Sequence, residues 1–243
     1  MGISALSTAA HAEETATTPA QVTADYRPVN ALKRMGEVLR GLQSFTIQTQ
    51  TVTEKVMVNG QKIQVGGTML LEYQKPDHLR AILQRSGKEL NFYYDGQQAS
   101  LFTPKKGYYA SVPVTGTVGE VLTSIEKKHG VSLPLTDLFI WGTPKGDEVK
   151  FESAVYVGRD YVDGVLCDQY AYRQGYVDWQ IWLEASTQML PRKLSLTNTA
   201  DPAMPQHTEI LNWDLKPDFS KGHFSFKAPA NAMAIPLRER TAQ

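Results

Sequence analysis

The stretch NFYYDGQQASLF, residues 91–102, places the dipeptide Asp95-Gly96 between two short segments rich in strand-forming residues. Glycine adopts a positive φ at little cost and aspartate tolerates one, so this dipeptide favours a tight turn whose twist fits two antiparallel strands. Asn59-Gly60 and Asp163-Gly164 repeat the signal elsewhere in the chain. A chain that reverses this often is predicted to form one meandering antiparallel sheet.

From Ser44 onward, apolar and polar residues alternate with a period of two, which is the pattern of a strand with one buried face. Turn residues divide this pattern into segments. The predicted strands lie near 44–57, 61–73, 78–85, 89–94, 98–103, 108–113, 151–162, 165–174, 177–184, 191–198, 206–215 and 223–227. The predicted fold class is therefore mainly β, with a minor α component.

Two segments have the period of an amphipathic helix instead. Pro28 to Leu42 carries apolar residues at three- and four-residue steps, and Pro28 suits a first helical turn. Thr117 and Glu120 have the spacing of a capping box for a second helix, which Gly130 can end. A short helix or turn is expected around Leu135 to Phe139.

About eleven strands are too many for a flat open sheet, so we expect the sheet to curl into a half barrel. The simplest packing lays both helices against its concave face. The resulting cavity would be lined by Met69, Leu71, Leu79, Leu83, Leu90, Phe92 and Leu101, facing Leu122 and Ile125. The alternative is a core packed by its own side chains, with no usable void.

The composition and the first residues limit which classes of protein this chain can belong to. The 243 residues include 25 basic and 25 acidic side chains, so no net field favours nucleic acid. Residues 1–12 resemble the end of a secretory signal peptide cleaved near Ala12, or else a polar leader without targeting meaning. Residues 13–26 form a predicted flexible leader, 27–235 a single domain, and 236–243 a flexible tail. The expected location is the periplasm, as a soluble exported protein.

Catalytic and metal-binding signatures are missing from the sequence. The five histidines are scattered, so no metal site or other cofactor is predicted. Cys167, the only cysteine, is interpreted as a small buried strand residue. Asp160, Asp163 and Asp168 are close in sequence, but turn chemistry accounts for Asp163 more simply than calcium or acid–base chemistry does. The chain is therefore predicted not to be an enzyme.

Four segments carry a resemblance to a known family. They are residues 92–96 (FYYDG), 156–164 (YVGRDYVDG), 178–184 (DWQIWLE) and 191–194 (PRKL). Over roughly Pro28 to Ile235, the chain resembles a bacterial family of predicted periplasmic proteins of unknown function. That family is similar to the superfamily of the lipoprotein carriers LolA and LolB and the envelope-stress regulator RseB. The resemblance implies a curved, incompletely closed antiparallel β-barrel of about 11 strands, with helices covering the concave face and a hydrophobic cavity.

Three functions follow as hypotheses. The first is a non-enzymatic periplasmic carrier or sensor that holds a lipid, an acyl chain or the lipid moiety of a lipoprotein. The second is a module that binds an inner-membrane or outer-membrane protein in envelope-stress signalling, as RseB does. The third is a hydrolase, for which Asp163 and Cys167 are the residues to replace. No hypothesis involves nucleic acid or a membrane-spanning chain, and all leave the oligomeric state open.

Overall fold

A computed structural model of the protein describes residues 27–240, apart from the side chain of Asp147. The helices are α1 (Arg27–Gly41), α2 (Val118–His129) and α3 (Pro144–Asp147), and single 3₁₀ turns occupy Pro104–Lys106 and Thr136–Phe139. The first six strands are β1 (Ser44–Val56), β2 (Lys62–Gln74), β3 (His78–Arg85), β4 (Lys88–Asp95), β5 (Gln98–Thr103) and β6 (Tyr108–Pro113). The others are β7 (Ser153–Val162), β8 (Val165–Gln174), β9 (Val177–Glu184), β10 (Pro191–Asn198), β11 (Gln206–Asp214) and β12 (Met233–Ala234).

All twelve strands belong to one sheet, in the order β12-β6-β5-β4-β3-β2-β1-β11-β10-β9-β8-β7. Every neighbouring pair is antiparallel except β12, which runs parallel to β6. Within residues 27–240, β12 and β7 stand at opposite ends of this order, so the sheet is not closed. The predicted fold class, a mainly β protein with an incompletely closed antiparallel sheet, is confirmed.

The turn dipeptides do what their chemistry predicts. Gly60, Gly96 and Gly164 adopt φ values of 82°, 88° and 79°. At Gly96 a side chain would also clash, because an added Cβ would lie 2.6 Å from Oδ2 of Asp77. The turn beside it is fixed by the Asp95 carboxylate, which accepts hydrogen bonds from the backbone N–H groups of Gln97 and Gln98.

The second helix begins and ends as predicted. The Thr117 side chain accepts from the backbone N–H of Glu120, and the Glu120 carboxylate accepts from the backbone N–H of Thr117 at 2.8 Å. Gly130 ends the helix in a left-handed conformation, with φ 69°. The expected short helix around Leu135 to Phe139 is the 3₁₀ turn Thr136–Phe139.

The helices cover one face of the sheet, which we call the inner face. Leu32, Met35 and Leu39 of α1, together with four residues of α2, belong to the same buried core as the inner side chains of the strands. We call α1, α2, α3 and the 3₁₀ turn between α2 and α3 the roof. The roof is tightly interlocked, because an added Cβ on Gly36 would lie 2.5 Å from the backbone N of Gly142.

The opposite, outer face carries a second layer that the sequence did not predict. Residues 217–235, here called the strap, run across it and end in β12. Phe224 packs 5.3 Å from the ring of His78, and Phe226 lies 5.3–5.5 Å from three aromatic rings of β4, β5 and β6. The predicted strand at 223–227 is therefore wrong, since these alternating phenylalanines pack across the sheet instead of pairing with it.

Beyond the strap, the predicted flexible tail remains a prediction. In its first residues, the Arg240 backbone N–H donates to the carbonyl of Lys128 at 2.7 Å, and Nδ1 of His129 lies 3.1 Å from the Arg238 carbonyl oxygen. These contacts join residues 236–240 to the end of α2. Among the residues described, none of the helices combines the length and apolar character required to span a bilayer.

Candidate ligand-binding site

The inner face changes character along its strands. On β1, Phe45, Ile47 and Thr49 are buried, whereas Thr51 and Thr53 are partly exposed. The neighbouring strands repeat this gradient, so the inner face has a buried part beneath the roof and a partly exposed part beyond it. We call the second part the open floor, and it consists of Thr51, Thr53, Val65, Gly67, Leu83, Leu90, Leu101, His207 and the more exposed Leu196.

A cavity of about 220 Å³ lies between the roof and the start of the sheet. Three aromatic rings form one wall: Phe45 lies 4.9 Å from Tyr73, and Phe139 lies 5.3 Å from Tyr73. The remaining lining residues are Leu39, Arg40, Lys75, Pro76, Thr117, Val118, Gly119, Leu138 and Thr143. The roof is therefore not packed solid against the strands at this end.

The polar groups of this roof cavity are engaged with the protein. The Arg40 guanidinium donates to the Trp141 carbonyl at 3.2 Å, and the Lys75 ammonium donates to the Arg40 carbonyl at 3.1 Å. Burial, and secondarily the Asp77 carboxylate, raises the pKa of the Tyr73 hydroxyl, which therefore stays neutral at pH 7. The cavity thus presents mainly carbon atoms, with basic side chains among its lining residues.

The border between the buried part and the open floor carries unpaired polar groups. Thr49 and Glu209 are each only 3% exposed. Oγ1 of Thr49 and Oε1 of Glu209 have no hydrogen-bond partner within residues 27–240. The basic group beside them is His207, whose Nε2 lies 3.9 Å from Oε2 of Glu209 and whose Nδ1 lies 2.7 Å from Oγ1 of Thr53.

Sequence reasoning missed these two residues for different reasons. Glu209 is charged, and charged residues usually face solvent, although alternation places it on the same face as Leu211. The strand register settles the matter, because Glu209 lies opposite Thr51 on β1 and opposite Leu194 on β10. Thr49 fitted the alternating pattern but gave no sign that its hydroxyl would be buried without a partner.

The nine predicted cavity residues divide between the two parts of the inner face. Leu83, Leu90 and Leu101 are partly exposed on the open floor. The others are buried beneath the roof or belong to it, namely Met69, Leu71, Leu79, Phe92, Leu122 and Ile125. None of the nine lines the roof cavity, so their contact with a ligand stays a prediction.

The other places that could hold a functional site offer few reactive or metal-binding side chains. No group of three or more metal-ligating side chains occurs in the part of the chain that the structure describes. Cys167 is fully buried on the outer face, as predicted, and burial together with the nearby Glu184 carboxylate raises the pKa of its thiol to about 11. A larger depression of about 420 Å³, near the β3–β4 turn, is open and lined by partly or fully exposed residues.

Comparison with protein families identifies the chain. Residues 29–238 match the family described as predicted periplasmic protein (DUF2092). The protein belongs to this family. The resemblance seen in the sequence is thereby confirmed, as is the periplasmic location that it implies for a DUF2092 protein. The proposed cleavage near Ala12 lies outside the residues that the structure describes. No curated protein matches the chain.

Solved structures give distant likenesses to this DUF2092 protein. The Mycobacterium tuberculosis lipoprotein LppX is similar over 81% of this chain and 99% of its own, with 11% identity and a TM-score of 0.49. The Pseudomonas aeruginosa MucA/MucB complex is similar over 85% of this chain and 62% of the matched chain, with 15% identity and a TM-score of 0.35. A LolA superfamily protein from Nitrosomonas europaea is similar over 82% of this chain and 97% of its own, with 12% identity and a TM-score of 0.34.

Proposed function

We propose that this protein binds the apolar chain of a lipid, or of an acylated protein, on the inner face of its sheet. The observation that carries the proposal is the pairing of an apolar roof cavity with an open floor on the same face of the sheet. Both places offer mainly carbon surface. A carrier or sensor needs such a surface, because burial of an apolar chain supplies its affinity.

The energetics favour a chain over a small polar ligand. Burying one methylene contributes about 0.8 kcal/mol, so a chain of about a dozen carbons gives on the order of 10 kcal/mol before ordering costs. The roof cavity of about 220 Å³ is smaller than most ligand pockets, which begin at about 300 Å³. A longer chain therefore needs the open floor as well, or a shift of the roof.

Native mass spectrometry after gentle purification from a bacterial host tests the proposal. We expect a co-purifying lipid whose mass is lost on delipidation and restored by adding a lipid extract. A protein that co-purifies with no lipid and also does not bind fluorescent fatty-acid probes would contradict the proposal.

Two neighbouring residues of β3 supply a matched pair of variants. Leu83 faces the open floor, and Ile82 faces the outer side of the same strand, with comparable partial burial. Leu83→Glu should abolish lipid binding, because it places a charge where the chain lies. Ile82→Glu should leave binding unchanged. Equal losses in both variants would show that the lipid does not occupy the open floor.

A second candidate function, binding of a protein in envelope-stress signalling, is favoured by the free edge of the sheet. β7 ends the strand order and exposes Val155, Val157 and Tyr161, at 50%, 52% and 68%. An exposed edge strand can pair with a strand of another protein. Crosslinking from a photoreactive residue at position 157 in intact cells should trap an inner-membrane protein if this function is correct, and lipoproteins or nothing if it is not.

A further inference from the structure

The unpaired groups at the edge of the open floor point to the head group of the ligand. A carboxylate that is withdrawn from water without a partner loses hydration energy that nothing in the fold returns. Among residues 27–240, Oε1 of Glu209 is buried without a hydrogen-bond partner, and Nε2 of His207 lies 3.9 Å from Oε2. The two other buried glutamates of the sheet, Glu72 and Glu184, both pair with arginines.

The hydroxyl of Thr49, close to Glu209, is also buried without a hydrogen-bond partner among the described residues. Thr49 lies on the inner face two residues from Thr51, the residue opposite Glu209. Side chains in this diagonal relation are within about 7–8 Å of each other. Two acceptors therefore face the same part of the inner face, and neither has a hydrogen-bond donor in the described part of the chain.

We propose that Glu209 and Thr49 bind the protonated primary amine of an amphiphile whose apolar chain lies across the open floor. This inference rests on the proposed lipid-binding function and specifies the ligand's head group. An ammonium group carries three N–H donors and one positive charge, which matches a carboxylate beside a hydroxyl. A metal ion fits less well, because one carboxylate and one hydroxyl are too few oxygen ligands for Ca²⁺ or Mg²⁺.

The strand register supplies a path for the chain. Thr49 pairs with Met69, Met69 with Leu83, and Leu83 with Leu90, which gives a row across β1, β2, β3 and β4. Thr49 and Met69 are buried at the edge of the roof, and Leu83 and Leu90 lie on the open floor. At about 4.8 Å per strand, this row runs about 14 Å from the hydroxyl of Thr49 to the side chain of Leu90. Apart from Thr49 itself, the row is entirely apolar. An amine at Glu209 would therefore lie at the polar end of an apolar track, as an amphiphile requires.

Three probes test the inference with the full chain. Lysophosphatidylethanolamine and lysophosphatidylglycerol of the same acyl length share a chain and a phosphate, and only the first carries an amine. Ethanolamine carries the amine without the chain. Isothermal titration of the delipidated protein should give an affinity for the ethanolamine lipid about tenfold higher than for the glycerol lipid, which is the expected size of a charge-assisted hydrogen bond.

The variants are chosen to separate this preference from a loss of folding. Glu209→Gln keeps the shape of the side chain and should reduce the preference to less than about twofold, and Thr49→Val should reduce it in part. Glu184→Gln, a buried glutamate on the outer face, should keep the full preference even though it loses its charge pair with Arg192. Far-ultraviolet circular dichroism checks that each variant is folded.

The outcomes are distinct. Equal binding of the two lipids, or a preference that survives Glu209→Gln, would overturn the inference while leaving the proposed function intact. Ethanolamine that binds as tightly as its lipid would also overturn it, because the chain would then contribute nothing. If neither lipid binds, the proposed function fails, and the inference fails with it.

Discussion

The inner and outer faces of this sheet treat buried acids in opposite ways. On the outer face, Glu72 pairs with Arg80 and lies 3.0 Å from Nε2 of His223, and Glu184 pairs with Arg192. On the inner face, Oε1 of Glu209 has no hydrogen-bond partner among the residues described. The buried carboxylates of the outer face are thus paired with arginines, and the one on the inner face keeps an oxygen unpaired. A paired carboxylate needs no ligand, whereas an unpaired one is where a positively charged group of a ligand is expected to bind.

The largest effect should come from breaking the pair between Arg192 and Glu184. Both side chains are mostly buried, at 19% and 9% exposure, so Arg192→Met would leave an uncompensated buried carboxylate. We expect the free energy of unfolding to fall by about 3 kcal/mol, measured by urea denaturation. The pair between Arg159 and Asp168 provides the control, because its arginine side chain is 63% exposed. Arg159→Met should cost far less, because an exposed ion pair contributes little to stability. Similar losses in both variants would show that breaking the buried ion pair costs no more than breaking the exposed one.

The next effect concerns the strap on the outer face. Phe226 is partly buried and packs among the rings of Tyr93, Phe102 and Tyr109. Phe226→Ala should lower the free energy of unfolding by about 2 kcal/mol in urea, below the full cost of a core phenylalanine because the site is only partly buried.

The adjacent Lys227 is exposed, so Lys227→Ala is the matched control and should change stability by less than about 0.5 kcal/mol. A Phe226→Ala variant as stable as this control would show that the strap is not part of the folded core.

The strap also shows where sequence reasoning succeeds and where it stops. Eleven strands and two helices follow from local signals, because turn dipeptides, a capping box and a period of two act over a few residues. The alternation of Phe224 and Phe226 is equally local and misled the prediction, since it records which side of the chain is apolar and not what that side contacts. β12, with two residues in a parallel pairing, has no local pattern at all.

The candidate site is less visible in the sequence than the fold. Alternation places Leu83 and Leu90 on one face, and the sequence identified both. Whether a side chain on that face is covered depends on where the roof ends, which is a tertiary property. The unpaired state of Glu209 depends on which residues three neighbouring strands bring opposite it, and no pattern within β11 encodes that.

A smaller effect, of opposite sign, is expected on the inner face. Thr49→Val removes a buried hydroxyl that has no hydrogen-bond partner within residues 27–240, and it keeps the shape of the side chain. It should therefore raise the free energy of unfolding of the ligand-free protein by about 1 kcal/mol. Thr208 on the outer face is the control. Its hydroxyl lies 3.4 Å from that of Ser195, and Thr208→Val should give no gain. A loss of stability in Thr49→Val would show that the inner face is satisfied after all.

The smallest effect should appear only in alkaline solution, at Cys167 on the outer face. Burial raises the pKa of this thiol to about 11 from 9.0, so the unfolded chain releases the proton first as the pH rises. The contribution of this group to stability is therefore complete below pH 9 and is lost progressively toward pH 11. From about pH 8 to 9.5, the free energy of unfolding should fall further in the wild type than in Cys167→Ala, measured by urea denaturation at both pH values. The extra fall should be less than about 1 kcal/mol. Identical pH dependence in the two proteins would mean that water reaches the thiol, although Cys167 is fully buried in the structure.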